Sequence, residues 1–256
     1  MTISNKESKK IEFSKLNFDD FRELAKNPSL SRHEKVGFPD DYRDGKEEAI
    51  FIDVRNKLSN LNAPRKTILE IGPGCSKLPM MLSNLCSEND SDLIYVDSSE
   101  MLAHLPNGPH ISKFEGAFPD AFMSEVERFS GKIDVIIAYS VIQYVFTGGN
   151  LWDFIDRCLM LLSDGGEILF GDIPNISMRK RFFSSEAGVI SHRNYTGSSE
   201  RPEIIFNNLE IGQMDDSVVL SILARARSQG FHAWVIPQSH SLPMANRRED
   251  ILIRKP

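Results

Sequence analysis

Four short apolar runs divide the middle of the chain, and each is followed by a turn or by a helical pattern. The runs are rich in Ile, Leu and Val and occupy residues 68–71, 93–96, 135–138 and 168–170. Continuous apolar runs of this length are typical of strands that are buried on both faces of a parallel sheet. Helical patterns lie between them at about residues 77–87, 99–105, 120–129 and 150–162. Strands that alternate with helices predict a doubly wound α/β sheet.

The N-terminal part of the chain differs from this pattern. Residues 1–45 are polar and interrupted by prolines, apart from a short predicted helix at 17–26 that Asn17 would cap. We interpret this segment as an extension or lid. An amphipathic helix over roughly residues 46–61 then opens the main domain, which we expect to comprise residues 46–256.

The C-terminal part also departs from strand–helix alternation. A helix that begins near Asp216 ends at Gly230, and strands are predicted at 231–237 and 250–254. About 12 residues connect the two strands, too few for a crossover helix. An antiparallel hairpin is therefore predicted.

The most informative motif is LEIGPGCSKLP at residues 69–79, where a buried strand gives way to a helix. Gly72 and Gly74 permit tight backbone geometry and the close approach of a ligand to a helix N-terminus. The third glycine of the dinucleotide fingerprint would fall at Lys77, which makes an NAD(P)-dependent oxidoreductase the less favoured interpretation. Two acids accompany the loop: Glu70 precedes it, and Asp97 ends the next strand, where a ribose diol needs a bidentate acceptor.

The pattern Glu70-x-Gly72-x-Gly74, with Asp97 after the second strand, resembles the class I S-adenosylmethionine (SAM)-dependent methyltransferases. The resemblance covers about residues 46–173 and, more loosely, 214–256. It implies a Rossmann-like, seven-stranded, mostly parallel sheet with a C-terminal antiparallel hairpin and helices on both faces. It also implies SAM as cofactor and S-adenosylhomocysteine (SAH) as product.

The same resemblance assigns roles to residues. Asp97 would hold the ribose hydroxyls, although a helix cap is the alternative, and Glu70 would orient the loop or approach the amino group of the cofactor, although a structural role is as compatible. Ser76 stands where the family often has a third glycine. The remaining positions expected to surround the cofactor are Gly72, Pro73, Gly74 and Ser140 at the methionine part, Ser98 and Met101 near the ribose, and Gly116, Ala117 and Phe118 beside the adenine.

Residues 31–53 show a weaker resemblance to the N-terminal segment of a methyltransferase subgroup that is associated with bacterial surface-glycan biosynthesis. Here Lys35, Tyr42 and Arg43 would close over the cofactor, with Arg43 as partner of its carboxylate. A solvated polar loop is the alternative for this segment.

Candidate catalytic residues follow the fourth and fifth strands. Methyl transfer from a sulfonium is an in-line displacement in which the protein chiefly aligns donor and acceptor. We expect Asp172 to act as a general base or to hold the acceptor, with a purely structural turn residue as the alternative. Tyr144 is expected either to take part in catalysis or to form a wall of the pocket. His192 is a candidate base because a neutral imidazole is available near pH 7. It lies in an insert at about 176–213 that we expect to shape the acceptor site.

Composition narrows the function further. The chain has a net charge of −6 and no basic stripe, so nucleic acid is not an expected partner. It has no apolar run long enough for a membrane span, no signal-peptide pattern, and three cysteines without zinc spacing, so a cytoplasmic enzyme without a metal is predicted. The expected acceptor is a small polar metabolite, and basic residues of the insert suggest a sugar or nucleotide-sugar. A catalytically silent SAM-binding partner module remains the alternative.

Overall fold

In the computed structural model, which describes residues 16–39 and 43–256, seven strands form one sheet in the order β3-β2-β1-β4-β5-β7-β6. Their bounds are Thr67–Ile71 (β1), Asp92–Asp97 (β2), Ile111–Glu115 (β3), Ile133–Tyr139 (β4), Leu162–Pro174 (β5), His232–Pro237 (β6) and Arg248–Arg254 (β7). Strands β1 to β5 pair in parallel, whereas β7 is antiparallel to both β5 and β6. The predicted α/β sheet and its antiparallel hairpin are confirmed.

Helices cover both faces of this sheet. Their bounds are Phe18–Lys26 (α1), Arg32–Lys35 (α2), Glu47–Lys57 (α3), Leu78–Glu88 (α4), Ser99–Leu102 (α5), Val126–Phe129 (α6), Ile142–Gly148 (α7), Leu151–Leu161 (α8), Ile176–Ser184 (α9), Glu186–Thr196 (α10) and Asp216–Ser228 (α11). The described residues also contain the 3₁₀ segments Ser59–Asn62 and Asp120–Glu125. None of the helices in the described ranges is both long and apolar enough to cross a bilayer.

Alternation along the strands divides the core between the two faces. Leu69 and Ile71 pack in a cluster with α8 and α11, whereas Ile68 packs in a second cluster with α3 and α4. All three side chains are buried. The apolar runs are therefore continuous because successive residues enter different cores.

The helix predicted over 46–61 is shorter than expected. α3 ends at Lys57, and a 3₁₀ turn follows from Ser59. The Ser59 hydroxyl and the Asn60 backbone N–H both donate to the Glu167 carboxylate on β5, at 2.9 Å each. Because Glu167 is fully buried and must be paired, these contacts draw the chain out of the helical path.

The predicted first helix is confirmed, with Asn17 as its cap. The Asn17 side chain accepts the Asp20 N–H at 3.0 Å, and the Asp20 carboxylate accepts the Asn17 N–H at 2.9 Å, which is a capping box. Arg22 of α1 then donates two hydrogen bonds of 3.0 Å to Glu100 of α5. These contacts hold α1 beside the carboxyl ends of the strands.

Candidate functional site

A cavity of about 630 Å³ opens where the parallel strands end. Open α/β sheets bind ligands at this edge. The cavity brings together most of the residues selected from the sequence: its lining includes Arg43, Glu70, Gly72, Pro73, Gly74, Asp97, Met101, Gly116, Ala117, Phe118, Ser140 and Tyr144. Phe21, Val36 and Phe38 of the N-terminal segment line it as well.

The loop between β1 and α4 requires both of its glycines. Gly72 and Gly74 have φ angles of 63° and 65°, a conformation that L side chains rarely adopt. A Cβ at Gly72 would lie 2.7 Å from Val141 Cγ2, and one at Gly74 would lie 2.5 Å from Val36 Cγ1. The loop is thus pressed between α7 and the N-terminal segment.

The N-terminus of α4 is less open than the sequence suggests. The buried Glu47 carboxylate of α3 accepts the Lys77 N–H at 2.8 Å. A protein carboxylate therefore already satisfies one of the N–H groups that usually make a helix N-terminus an anion site. This arrangement suits a ligand that approaches the loop with a neutral or cationic group.

Asp97 joins β2 to the glycine loop. Its Oδ2 accepts the Gly74 N–H at 3.0 Å, and its Oδ1 accepts the Ser98 N–H at 2.6 Å. Each carboxylate oxygen can accept more than one hydrogen bond, so the side chain keeps capacity for a ligand. Burial raises the pKa of Asp97 to about 6, and the two N–H donors oppose that rise.

Glu70, at the end of β1, carries a buried oxygen without a partner. Its Oε2 has no hydrogen-bond partner among the described residues, and the side chain is 2% exposed. Burial, with a smaller contribution from the Asp97 charge, raises the pKa of Glu70 to about 8. A buried acceptor without a hydrogen bond destabilises the folded protein by about 1–3 kcal/mol. A ligand with an ammonium or N–H group could donate the missing hydrogen bond.

The residues after β2 and β3 form a further wall. Gly116 has a φ angle of 129° and donates its N–H to the Asp97 carbonyl at 2.8 Å, which brings Ala117 and Phe118 to the cavity. Met101 is buried and lines the cavity, whereas Ser98 is outside the lining. The Ser98 hydroxyl instead caps α5 by accepting the Met101 N–H at 3.3 Å.

Arg43 and Ser140 meet at the end of β4. Arg43 Nη2 donates to Ser140 Oγ at 2.6 Å and to Asp172 Oδ2 at 3.0 Å, and Ser140 Oγ also donates to Asp172 Oδ2. Arg248 Nη1 donates to the same Asp172 oxygen at 2.8 Å. The Arg43 guanidinium lies over the Phe38 ring, 4.0 Å from its centroid. Asp172 is thus a buried acceptor that contacts the cavity wall through Arg43 and Ser140.

Arg43, Ser140 and Asp172 were each selected from the sequence, but their pairing was not predicted. Arg43 and Asp172 are 129 positions apart, and Arg248 lies on β7. Tyr42, expected beside Arg43, lies outside the described residues. A positively charged residue shortly before the first helix of the domain, together with an acid at the end of β5, is the only trace of the pair in the sequence.

Tyr144 and His192 occupy different surroundings. Tyr144 lines the cavity, and its ring makes an edge contact with Phe21 at a centroid distance of 4.9 Å. Burial raises the pKa of Tyr144, which keeps the phenol neutral. His192 lies on α10, where its ring meets Phe183 at 6.3 Å, and it is outside the cavity lining.

Carboxylates pair with most basic residues of the 176–213 insert. Lys180 is buried and lies 2.9 Å from Glu210, Arg181 lies 2.5 Å from Asp216, and Arg201 lies 3.6 Å from Glu186. Arg179 stacks on Phe183. The insert therefore does not present these cations as a cluster toward the cavity.

No protein-family model matches the sequence, and no curated protein matches it either. Solved structures do match. The plantazolicin methyltransferase BamL, in complex with a triazolic desmethylPZN analogue and SAH, shares 16% identity over 92% of this chain and 97% of its own, with a TM-score of 0.56. The methyltransferase domain of bacterial CtHen1 shares 15% identity over 82% of this chain and 98% of its own, with a TM-score of 0.51.

A third similar structure is longer. The chain spans 64% of the CurJ carbon methyltransferase, which shares 14% identity over 93% of this chain with a TM-score of 0.50. Identities at this level establish the fold and not the activity. The chain therefore has the Rossmann-like fold of the SAM-dependent methyltransferases.

Proposed function

We propose that the protein transfers a methyl group from SAM to a small-molecule acceptor. One observation carries this proposal: the glycine loop, the unpartnered Glu70 Oε2 and the Asp97 carboxylate converge on one cavity at the carboxyl edge of the sheet. The fold is that of proteins such as BamL, whose structure contains SAH.

The cavity residues fit the three parts of SAM. Asp97 keeps acceptor capacity for the ribose hydroxyls, and Glu70 Oε2 would accept from the amino group. Arg43 would bind the carboxylate, since a guanidinium matches that group geometrically. Gly116, Ala117 and Phe118 would lie beside the adenine.

The chain's own contribution to the transfer is alignment. SAM supplies an electrophilic methyl group on a sulfonium, so the protein has chiefly to place the acceptor in line and to exclude water. Asp172 has one oxygen engaged by two arginines and a hydroxyl, so we propose that it positions Arg43 and Ser140 rather than accepting a proton. Tyr144 would form a wall of the acceptor site. We assign no role in the transfer to His192, because it lies outside the lining.

The acceptor would enter beside Tyr144 and offer a nucleophilic oxygen or nitrogen. The expectation of a sugar or nucleotide-sugar, and with it a role in glycan biosynthesis, depended on the cations of the insert. Because Lys180, Arg181 and Arg201 pair with Glu210, Asp216 and Glu186, these three cations lend no support to a phosphate-bearing acceptor.

Methyl transfer is tested with tritium-labelled SAM and a small-metabolite extract freed of macromolecules. We expect wild-type protein to move label into the extract, Asp97→Ala to abolish the transfer, and Asp92→Ala to leave it unchanged. Asp92 is the matched control because it is exposed at the opposite end of the same strand. Binding of SAM without label transfer to any acceptor fraction would favour the silent partner module instead.

A further inference from the structure

The pairing of β5 with β7 is irregular beside the cavity. The register shifts between Phe170 and Ile173, and Asp172 lies within the shift with a φ angle of 58°. The backbone N–H of a bulged residue loses its regular partner in the ladder, and here it donates to Asp250 Oδ1 at 2.8 Å. Asp250 therefore holds the backbone of Asp172 in a left-handed conformation that a non-glycine residue seldom adopts.

Asp250 is itself held from the opposite side by α3. Its side chain is fully buried, its Oδ2 accepts from Lys57 Nζ at 2.7 Å, and its Oδ1 also accepts from Gln238 Nε2 at 3.0 Å. Lys57 additionally pairs with Asp53 one turn earlier on α3. A buried carboxylate is tolerated when it is paired and hydrogen-bonded, and the Lys57 charge opposes the rise that burial causes in the pKa of Asp250.

The other end of this network is the cavity wall. Asp172 Oδ2 accepts from Arg43 Nη2, and Ser140 shares the same carboxylate oxygen. Arg43 Nη2 donates to two acceptors, and because a guanidinium is a rigid planar fork, these two hydrogen bonds together fix the orientation of the whole group. The path from Lys57 to Asp250 to Asp172 to Arg43 has a cation at each end and two acids in the middle. The backbone N–H of Asp172 bridges the two acids.

We propose that Asp250, supported by Lys57, is a positioning residue that directs Arg43 toward the carboxylate of the amino-acid part of SAM. Asp250 acts through the Asp172 backbone and does not touch the ligand. This inference rests on the proposed binding of SAM. It adds Asp250, which lies behind the Asp172 bulge as seen from the cavity, to the residues that determine that binding. Asp250→Asn keeps the size of the side chain but removes the charge that pairs with Lys57.

Glu167 provides a matched control. It is also a fully buried carboxylate, and it pairs with Arg254 of β7 in the same way that Asp250 pairs with a cation. It lies on β5 near the opposite edge of the sheet from the cavity. Glu167→Gln therefore reports the general cost of neutralising a buried acid in this sheet.

The experiment compares two ligands by calorimetry. SAH has the amino-acid part with its carboxylate, whereas 5′-methylthioadenosine has the same nucleoside without it. In Asp250→Asn, we expect affinity for SAH to fall about tenfold, as for loss of a well-placed charged hydrogen bond, and affinity for 5′-methylthioadenosine to stay within about twofold. Glu167→Gln should bind both ligands like the wild type.

A second pair of variants tests the route through Arg43. In an Arg43→Ala background, Asp250→Asn should cause no further loss of SAH affinity, because the two residues act on one contact. Should Asp250→Asn fail to fold, Lys57→Met is used in its place, with the same preferential loss of SAH expected.

Unchanged SAH affinity in the folded variants overturns the inference, and so does an equal loss for both ligands, which would mean general damage to the cavity. If the wild type binds neither ligand, the proposed function fails and the inference fails with it. If the wild type binds SAH and Asp250→Asn binds it with the same affinity, the inference fails but the proposed function stands.

Discussion

The Asp97 carboxylate accepts the Gly74 backbone N–H at 3.0 Å and so ties the end of β2 to the loop that follows β1. One side chain thus both shapes the glycine loop and faces the cavity. From the sequence, Asp97 was predicted only to bind the ribose hydroxyls, with a helix cap as the alternative. In the structure Ser98 caps the short helix α5, which leaves Asp97 to the loop and the cavity.

Replacement of Asp97 should distinguish its contact with the glycine loop from its contact with the ligand. Asp97→Asn retains one oxygen acceptor, whereas Asp97→Ala removes every acceptor. We expect SAH affinity to fall at least about tenfold in Asp97→Ala and by less in Asp97→Asn. Calorimetry measures both, with Asp92→Ala as control; equal affinities in all three variants would remove Asp97 from the binding site.

Gly74 should be intolerant of a side chain because of its contact with Val36. Gly74→Ala places a Cβ 2.5 Å from Val36 Cγ1, and we expect weaker SAH binding and a lower thermal midpoint. Gly45→Ala is the matched control, since Gly45 has a similar φ of 69° and nothing within 4 Å of the added Cβ. Adding Val36→Ala to Gly74→Ala should restore part of the loss. No restoration would mean that backbone strain alone is responsible.

Glu70 should make the free protein less stable as the pH rises. Burial raises its pKa from 4.5 to about 8, so over this range the native state binds a proton that the unfolded state has lost. The free energy of unfolding therefore falls as the pH rises through this window. Denaturant titrations between about pH 6 and pH 9, above the pKa of about 6 at Asp97, should show this fall in the wild type and less of it in Glu70→Gln.

Glu48→Gln is the control for that titration, because Glu48 is exposed on α3. It should reproduce the wild-type dependence. If Glu70→Gln and wild type show the same slope of stability against pH, the Glu70 carboxyl is already ionised in the native state.

Tyr144 should act through its ring rather than its hydroxyl. The ring lines the cavity and meets Phe21 of α1, and burial raises the pKa of the phenol away from the range in which it would be a base. In the label-transfer assay, Tyr144→Phe should retain most of the activity, whereas Tyr144→Ala should lose it together with the α1 contact. Loss of activity in Tyr144→Phe, with SAH binding intact, would instead assign the hydroxyl a chemical role.

Local patterns accounted for most of the sheet. The run at 93–96 became β2 because it is flanked by turns and enters two cores, and the 12-residue connection before residue 250 left an antiparallel hairpin as the simplest topology. The glycine loop was equally visible because its conformation depends on adjacent residues. Helix ends were less predictable, as the end of α3 depends on Glu167, more than 100 positions away.

The charged network was beyond prediction for the same reason. Asp172 was selected from its place after β5, but its role as acceptor for Arg43 and Arg248 depends on contacts across 129 and 76 positions. His192 was selected by residue type and by its place in the 176–213 insert, and the structure places it on α10, outside the cavity lining. Residue type and strand order locate a site; they do not show which side chains a fold will pair within it.

Binding of SAM and SAH to the wild-type protein, measured by calorimetry with NADH as control, tests the central claim most directly. We predict micromolar or tighter binding of SAM and SAH and none of NADH, because the cavity offers acids to the ribose and amino group and lacks the third glycine of the dinucleotide loop. Binding of NADH, or of none of the three, would contradict the assignment of this cavity to SAM.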